Sequence, residues 1–553
     1  MIGAAYLLIT LLVWAIVVSL AWGLSRYLKK VYENEKTFLD KLLNPVENFI
    51  FRLLGVDPGK DMGWKEYFLS LFVFNIFTAA IAFVILTFQG VLPLNPMKFS
   101  GMSWSLALNT VMSFSSNTNL QHYGGGSTLS YLGQMAGIQF LQFTSAASGM
   151  VVAVAIFRGF AGRNDKNSGL GNFYSDMLRS MTRVLLPLTV ALSIILIGLG
   201  VPQSLAGYSN VTTLSGIQEL IKVGPIASLV SIMQLGTNGG GYFGANSAYP
   251  FANPSPLTNY IELGAMMLLP TAMLFLFGRM IRKESEGRSL FIASYGLYAI
   301  DLAIALIPVT TLGAGMETRL GGFSPVLYTV TTTAFTTGSV NTSLAAMHPL
   351  VILSALMGMM IQATPGGIGV GAMYMLMYVV ITVFIVGLMA GRTPEYLGAK
   401  INASDVKLAV IAFLAHPIII LVPTALAYAT GAVHAIGLGK GPVGFTQILY
   451  EFTSAAANNG SDFLGSQGNT VFFNVSTGIV MWAGRFIPIV IMLAIAGRML
   501  EKRRSTEIAL RTDNFIFPAI LIISILILAV LTFFPFLAVG PILMHLEGIS
   551  NAL

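Results

Sequence analysis

Four short stretches decide how this chain is read: SSNTNLQ at 115–121, GTNGGG at 236–241, TTGSVN at 336–341 and ANNGSD at 457–462. Each follows a brief apolar stretch, at 104–114, 226–236, 323–335 and 444–456. About 10–14 apolar residues are too few to cross a bilayer as helix, so such a stretch reads as re-entrant or buried. Each cluster also precedes a long apolar segment. The unit is therefore helix, half-helix, polar loop, helix, and it occurs four times. Non-helical backbone at membrane depth is tolerated only where it lines a cavity or is buried in protein. A loop whose carbonyls face a common axis replaces the water around a dehydrated cation. Gly permits the backbone angles such a loop needs. Thr and Ser add hydroxyl oxygens, and Asn braces the loop through its side-chain amide. The first three clusters hold no carboxylate, which suits a weakly hydrated monovalent cation better than calcium. Asp462 ends the fourth cluster. It either concentrates cations there or is a solvated loop residue.

The surrounding chain fits a membrane. Of its 553 residues, 55% are hydrophobic and 10% charged, with a mean hydropathy of +0.77. Soluble domains carry about a quarter charged residues. Apolar runs lie near 4–24, 66–88, 129–157, 184–200, 257–278, 289–312, 349–390, 406–430, 471–497 and 515–540. The first is not preceded by a basic region and lacks a good small-residue cleavage site, so it is expected to be a retained helix. The expectation is an all-α integral membrane protein with ten transmembrane helices. Four helix–pore-loop–helix repeats occupy 66–161, 178–278, 289–391 and 406–497. One further helix lies at each end, within 1–65 and at 515–540.

The basic residues orient this arrangement. Segments 25–65, 158–183, 279–288, 391–407 and 498–514 hold 25 of the 30 Lys and Arg. The alternate connections hold Lys98, Lys222, Arg319 and Lys440, and Arg485 falls inside an apolar run. Cytoplasmic loops attract Lys and Arg, so the five basic segments are expected inside and both termini outside. The formal charge of +7 is thus topological. Nucleic-acid binding would need basic residues gathered on one surface with aromatic or groove-reading partners, and none are. Segment 31–55 mixes charges with apolar pairs and reads as an amphipathic helix on the inner membrane surface.

Catalytic chemistry finds no foothold. The absence of cysteine excludes disulfides, thiolate metal sites and thiol nucleophiles. Gly366–Gly371 lacks the strand and the acidic residue of a dinucleotide loop. There is no GxxxxGK[ST] loop and no Asp-Lys-Thr-Gly phosphorylation motif. His122, His348, His416, His434 and His545 show no ligand spacing and read as loop or packing residues.

Longer stretches carry a resemblance. They are FRLLGVDPGKDMGWKEY (51–67), LPLNP (92–96), SLALNTVMSFSSNTNLQHYGG (105–125), TLSYLGQMAG (128–137) and FTSAASGM (143–150). GTNGGGYFGANSAYPFANPSPLTN (236–259), GRTPEYLGAKI (391–401) and SAAANNGSDFLG (454–465) complete the set. With these stretches the chain resembles, nearly end to end, the KdpA family of potassium-binding subunits of bacterial Kdp potassium-transporting ATPases. The family belongs to the superfamily of potassium channels and Trk/Ktr/HKT transporters, so the resemblance implies a four-loop selectivity filter. Carried over by motif, its residues are Asn117, Thr118, Asn119 and Gln121; Thr237, Asn238, Gly239 and Gly240; Thr337, Gly338 and Ser339; and Asn458, Asn459, Gly460 and Ser461. It also implies a prokaryotic inner-membrane complex. A KdpB-like P-type ATPase subunit would hydrolyse ATP, and KdpC-like and KdpF-like membrane subunits would accompany it. The alternative is a stand-alone Trk/Ktr-type channel or ion-coupled transporter. The two end helices and the stretch 236–259 count against it.

After the third cluster the chain departs from the family. Residues 346–349 read AMHP and 361–371 read IQATPGGIGVG, with Gln362 where the family carries Glu. The run 349–390 covers 42 residues, about 63 Å as continuous helix and roughly twice the hydrocarbon thickness. Thr364-Pro365-Gly366-Gly367 is expected to interrupt it, because Pro removes a donor and clashes with the preceding turn. Such a break either obstructs a pore below the loops or simply joins two short helices. Arg485 is an intramembrane charge, a type that tends to be functional. It either lines the inner end of the pore or braces a neighbouring helix, with Glu262 and Asp301 as candidate partners.

Overall fold

The computed structural model describes residues 2–162, 169–308, 318–505 and 511–549. Arg163 and Lys166, and the end of the apolar run 289–312, lie outside the described residues.

The chain is mostly helical, with two short antiparallel ribbons at 209–221 and 395–400. Ten described helices are long and apolar enough to cross a membrane. In chain order the helices used below are α1 (Ile2–Tyr32), α2 (Asp40–Leu54), α3 (Trp64–Phe88) and α4 (Trp104–Ser115). They continue with α5 (Gly133–Ala161), α6 (Phe173–Gly198), α7 (Ile226–Leu235), α8 (Pro256–Met280) and α9 (Glu284–Leu306). Next come α10 (Phe323–Ala334), α11 (Pro349–Ile361), α12 (Val370–Met389) and α13 (Ala403–Ala429). The last are α14 (Gly441–Ala456), α15 (Val471–Glu501) and α16 (Ile516–Leu546). The chain is a multi-pass membrane protein.

Burial sorts these helices. α5 and α8 are the most enclosed spans, whereas α1 and α16 are largely uncovered. Their bare faces carry Leu8, Leu11, Leu12, Ile527 and Leu531. Apolar surface of that extent would be unfavourable in water and is at home against lipid. Arg26 in α1 stacks over the Trp22 ring at 3.7 Å.

Local chemistry sets the helix starts. Ser255 caps α8, accepting from the Thr258 N–H at 3.2 Å while Thr258 Oγ1 accepts from the Ser255 N–H at 2.9 Å. This reciprocal box satisfies two donors that a helix start leaves open, and Pro256 follows at the position where its missing N–H costs nothing. The Asn172 side chain accepts from Ser175 N–H at 3.1 Å. Its cap starts α6 eleven residues before the apolar run at 184 does. The amphipathic helix expected at 31–55 is confined to 40–54, because α1 runs on to Tyr32 and Asn34 turns the chain with a φ of 59°. The run 349–390 divides into α11 and α12, separated by residues 362–369.

Buried ion pairs lock one end of the bundle. Arg158 on α5 forks onto Asp176 on α6, with Nη1–Oδ2 at 2.5 Å and Nη2–Oδ1 at 2.9 Å. Its guanidinium also donates to the Leu170 and Tyr32 carbonyls, and Tyr67 donates to the same carboxylate. Arg183 on α6 reaches Glu47 and Asp40 on α2 at 2.7 Å and 2.6 Å. Bidentate geometry of this kind fixes orientation as well as charge.

Candidate functional site

The four half-helices α4, α7, α10 and α14 end at the four clusters. The turn out of each helix is the same. Thr118 N–H donates to Ser113 O at 2.9 Å, Asn238 N–H to Met233 O at 2.9 Å, Thr337 N–H to Thr332 O at 2.7 Å and Asn459 N–H to Ser454 O at 2.9 Å. Each bond spans five residues and turns the amide back toward its helix.

Backbone handedness then alternates. Positive φ occurs at Asn117 and Asn119, Thr237 and Gly239, Thr336 and Gly338, and Asn458 and Gly460, with negative φ between them. This alternation keeps successive peptide carbonyls on one side of the strand. Left-handed backbone is rare for residues other than Gly, and Asn is enriched among the exceptions. The Gly/Asn/Thr composition is thus a backbone requirement.

The clusters meet in a closed order. A Cβ built at Gly239 would overlap the Thr337 carbonyl oxygen, one at Gly338 the Asn459 oxygen, and one at Gly460 the Thr118 oxygen. The second cluster thus abuts the third, the third the fourth, and the fourth the first. The first meets the second through Gly240, where a Cβ would overlap the Asn119 carbonyl oxygen, and through side chains. Asn119 Nδ2 donates to Asn238 O at 2.7 Å, and Gln121 exchanges two 3.0 Å bonds with the backbone of Gly241. Asn117 Nδ2 donates to Thr237 O at 2.9 Å, and Asn238 Nδ2 returns a bond to Asn117 Oδ1 at 2.7 Å. All the cluster residues from Asn117 to Gln121, and Thr237, Asn238, Thr337, Ser339, Asn458, Asn459 and Ser461, are buried.

A supporting layer holds the clusters from behind. Tyr328 lies 3.1 Å from Ser339 and Tyr450 lies 2.8 Å from Ser461, each pair eleven residues apart. Gln142 of α5 donates to Gly240 O at 2.6 Å, and Ser145 of α5 to Asn117 Oδ1 at 2.9 Å. Glu262 of α8 accepts from Gln234, Ser247 and Tyr328. His122 lies between Glu451 Oε1 at 3.0 Å and Asn474 Oδ1 at 2.8 Å, tying the first cluster to α14 and α15. None of these supports stands out in the sequence except through the shared Tyr–Ser spacing of 11.

The helix interruption is joined to the same place. Gly366 N–H donates to Ala334 O at 2.8 Å, and Ile368 N–H donates to Thr237 Oγ1 at 3.0 Å. Gly367 packs against the Thr336 hydroxyl so closely that a Cβ would overlap it. Gln362 stands with its amide 2.9 Å from His416 Nδ1. Arg485 is buried and donates to Ser145 O at 2.9 Å, beside Gly149. Neither Glu262 nor Asp301 pairs with it, and among the described residues it has no carboxylate partner. Asp462 is half-buried and accepts from Gly465 N–H at 3.3 Å.

Comparison with known proteins places this architecture. The profile of the family described as KdpA, potassium-transporting ATPase A subunit, matches residues 11–546. The chain belongs to the KdpA family. A similar protein from Alicyclobacillus acidocaldarius subsp. acidocaldarius is 45% identical over 541 residues, which covers 95% of this chain and 96% of the relative. Another, from Caldanaerobacter subterraneus subsp. tengcongensis, is 44% identical over 552 residues, covering 96% and 97%. Both relatives are named potassium-transporting ATPase potassium-binding subunit. The KdpA match runs through all four clusters and the helix interruption.

Proposed function

We propose that this chain is the potassium-binding and translocating subunit of an ATP-driven uptake complex, and that the four clusters are its selectivity filter. One observation carries the reading: four strands of alternating handedness abut one another in a closed order, and such alternation turns successive carbonyls to one side. A dehydrated monovalent cation needs such a shell of carbonyl oxygens. The half-helices add to it, because each aims the negative end of its dipole at the cluster it precedes. The buried Oδ1 atoms of Asn119 and Asn238 have no donor among the described residues. Acceptors in that condition favour a cation.

The four helix, half-helix, cluster, helix units are pore repeats in this reading. The basic segments face the cytoplasm and both termini face outward. Pro365, Gly366 and Gly367 then lie immediately beneath the filter and obstruct straight passage. Arg485, buried near the same level, adds a positive charge that opposes free leakage of cations. The chain holds no ATP-hydrolysing motif. Energy is supplied by a P-type ATPase partner of the KdpB type, with KdpC-like and KdpF-like subunits completing the assembly.

The test is potassium-dependent ATP hydrolysis by the complex co-purified with this chain, comparing wild type with Gly239→Asp. Stimulation by low potassium in the wild type, and a large rise in the concentration required by the variant, is the expected result. If no ATPase co-purifies and the chain alone passes potassium into liposomes, the reading is wrong.

A further inference from the structure

The closed ring of clusters has one seam unlike the others. At three seams a glycine packs its bare Cα against the carbonyl of the next cluster: Gly239 on Thr337, Gly338 on Asn459 and Gly460 on Thr118. At the fourth the packing runs the other way, with Gly240 of the second cluster against the Asn119 carbonyl, and the residue that corresponds to the three glycines is Asn119, also left-handed with a φ of 55°. Its Cβ rules out the same backbone approach to Asn238. The side-chain amide spans the gap, and Nδ2 donates to the Asn238 carbonyl at 2.7 Å. The carbonyls of Thr118, Thr337 and Asn459 receive no side-chain donor among the described residues. Loop two is held along its length by amides in the same way. Asn117 donates to Gly236 O and Thr237 O, Gln142 to Gly240 O and Gln121 to Gly241 O. Asn119 supplies its bond at the one position where the other three clusters place a glycine.

We infer that Asn119 is a positioning residue for potassium selection: its amide fixes the Asn238 carbonyl at the distance that potassium requires. This rests on the filter reading above. A carbonyl that is free to tilt follows a smaller ion inward, and the discrimination against sodium falls. Asn119 is 1% exposed, so water does not replace the missing donor without itself entering the filter wall.

The experiment measures ATP hydrolysis by the co-purified complex as potassium, rubidium and sodium are each varied, for wild type, Asn119→Ala, Asn119→Asp and Gly239→Asp. Losing one such hydrogen bond is expected to raise half-saturating potassium about five- to tenfold in Asn119→Ala. Asn119→Asp, which sets a carboxylate oxygen against the carbonyl, is expected to raise it further. Both gain stimulation by sodium relative to potassium, and in both the loss falls more on half-saturating potassium than on the maximal rate, a split that a merely structural defect does not produce. Asn119→Asp keeps the side-chain shape and carries the test if Asn119→Ala does not assemble. Unchanged or lowered half-saturating potassium in the Asn119 variants overturns the inference, as does loss of assembly in both. If Gly239→Asp also leaves the potassium dependence unaltered, the filter reading itself has failed.

Discussion

Thr237 Oγ1 accepts the Ile368 amide proton at 3.0 Å across 131 residues of sequence. One atom of the second cluster thereby holds the interruption between α11 and α12 in place. Thr237→Val keeps the volume and leaves that N–H buried without a partner, at a cost of about 1–3 kcal/mol. The complex is expected to assemble, with a lower Tm and weaker potassium stimulation. Thermal unfolding in detergent alongside ATP hydrolysis checks this, and a variant with wild-type values for both would show that the bond does not matter.

Gly460 and Gly431 make a matched pair. Both have positive φ, 103° and 72°, but a Cβ at Gly460 overlaps the Thr118 carbonyl while one at Gly431 meets nothing within 4 Å. Ala at either site carries left-handed strain of about 1–2 kcal/mol. Only Gly460→Ala also pushes two clusters apart. It is expected to abolish stimulation by low potassium, whereas Gly431→Ala costs stability alone. Potassium titrations of the two variants decide the matter.

Arg158 and Asp176 are almost completely buried and fork onto one another. Arg158→Met strands a carboxylate inside the bundle, and breaking such a pair costs about 3–5 kcal/mol. Removing both charges together, as Arg158→Met with Asp176→Leu, is expected to cost less than the sum of the single changes. A double-mutant cycle of unfolding free energies measures the difference.

Outside the spans, Asp40 begins α2 beside Arg183. Hydrogen bonds from the Thr37 side chain and backbone hold its carboxyl below the usual range, and Arg183 adds to the effect. A depressed carboxyl contributes stability that is present above its unfolded value, about 3.9, and is lost as pH falls through the lower folded value. The docking of α2 is therefore expected to be constant at neutral pH and to loosen below about pH 4. Asp40→Asn should show the loosened behaviour throughout. Hydrogen exchange of residues 40–54 reads this directly.

Much of this arrangement is legible in the residues. The half-helices at 104–115, 226–235, 323–334 and 441–456 follow from apolar length, and the clusters from Gly and Asn at positions that need left-handed backbone. Ten spans follow from hydropathy. Contacts that depend on distant chain segments are not legible. Gln142, Gln234 and Tyr328 sit in helices that read as ordinary core, and only the folded chain turns them onto the clusters. Arg485 satisfies itself on the Ser145 carbonyl, a partner that side-chain types do not announce. His122 has no sequence neighbour to suggest Glu451, 329 residues away. The interruption at 362–369 is visible as Pro and Gly, but its bonds to Ala334 and Thr237 are not.

The odd seam at Asn119 also bears on symmetry. In a ring assembled from four identical chains, a substitution in one subunit appears in every quadrant at once. Replacing glycine with asparagine there would insert four Cβ atoms where three of the present seams have no room. A single polypeptide is free of that constraint, because each of its four clusters has its own sequence. A single asparagine among three glycines is open to one polypeptide and closed to a ring of four identical chains.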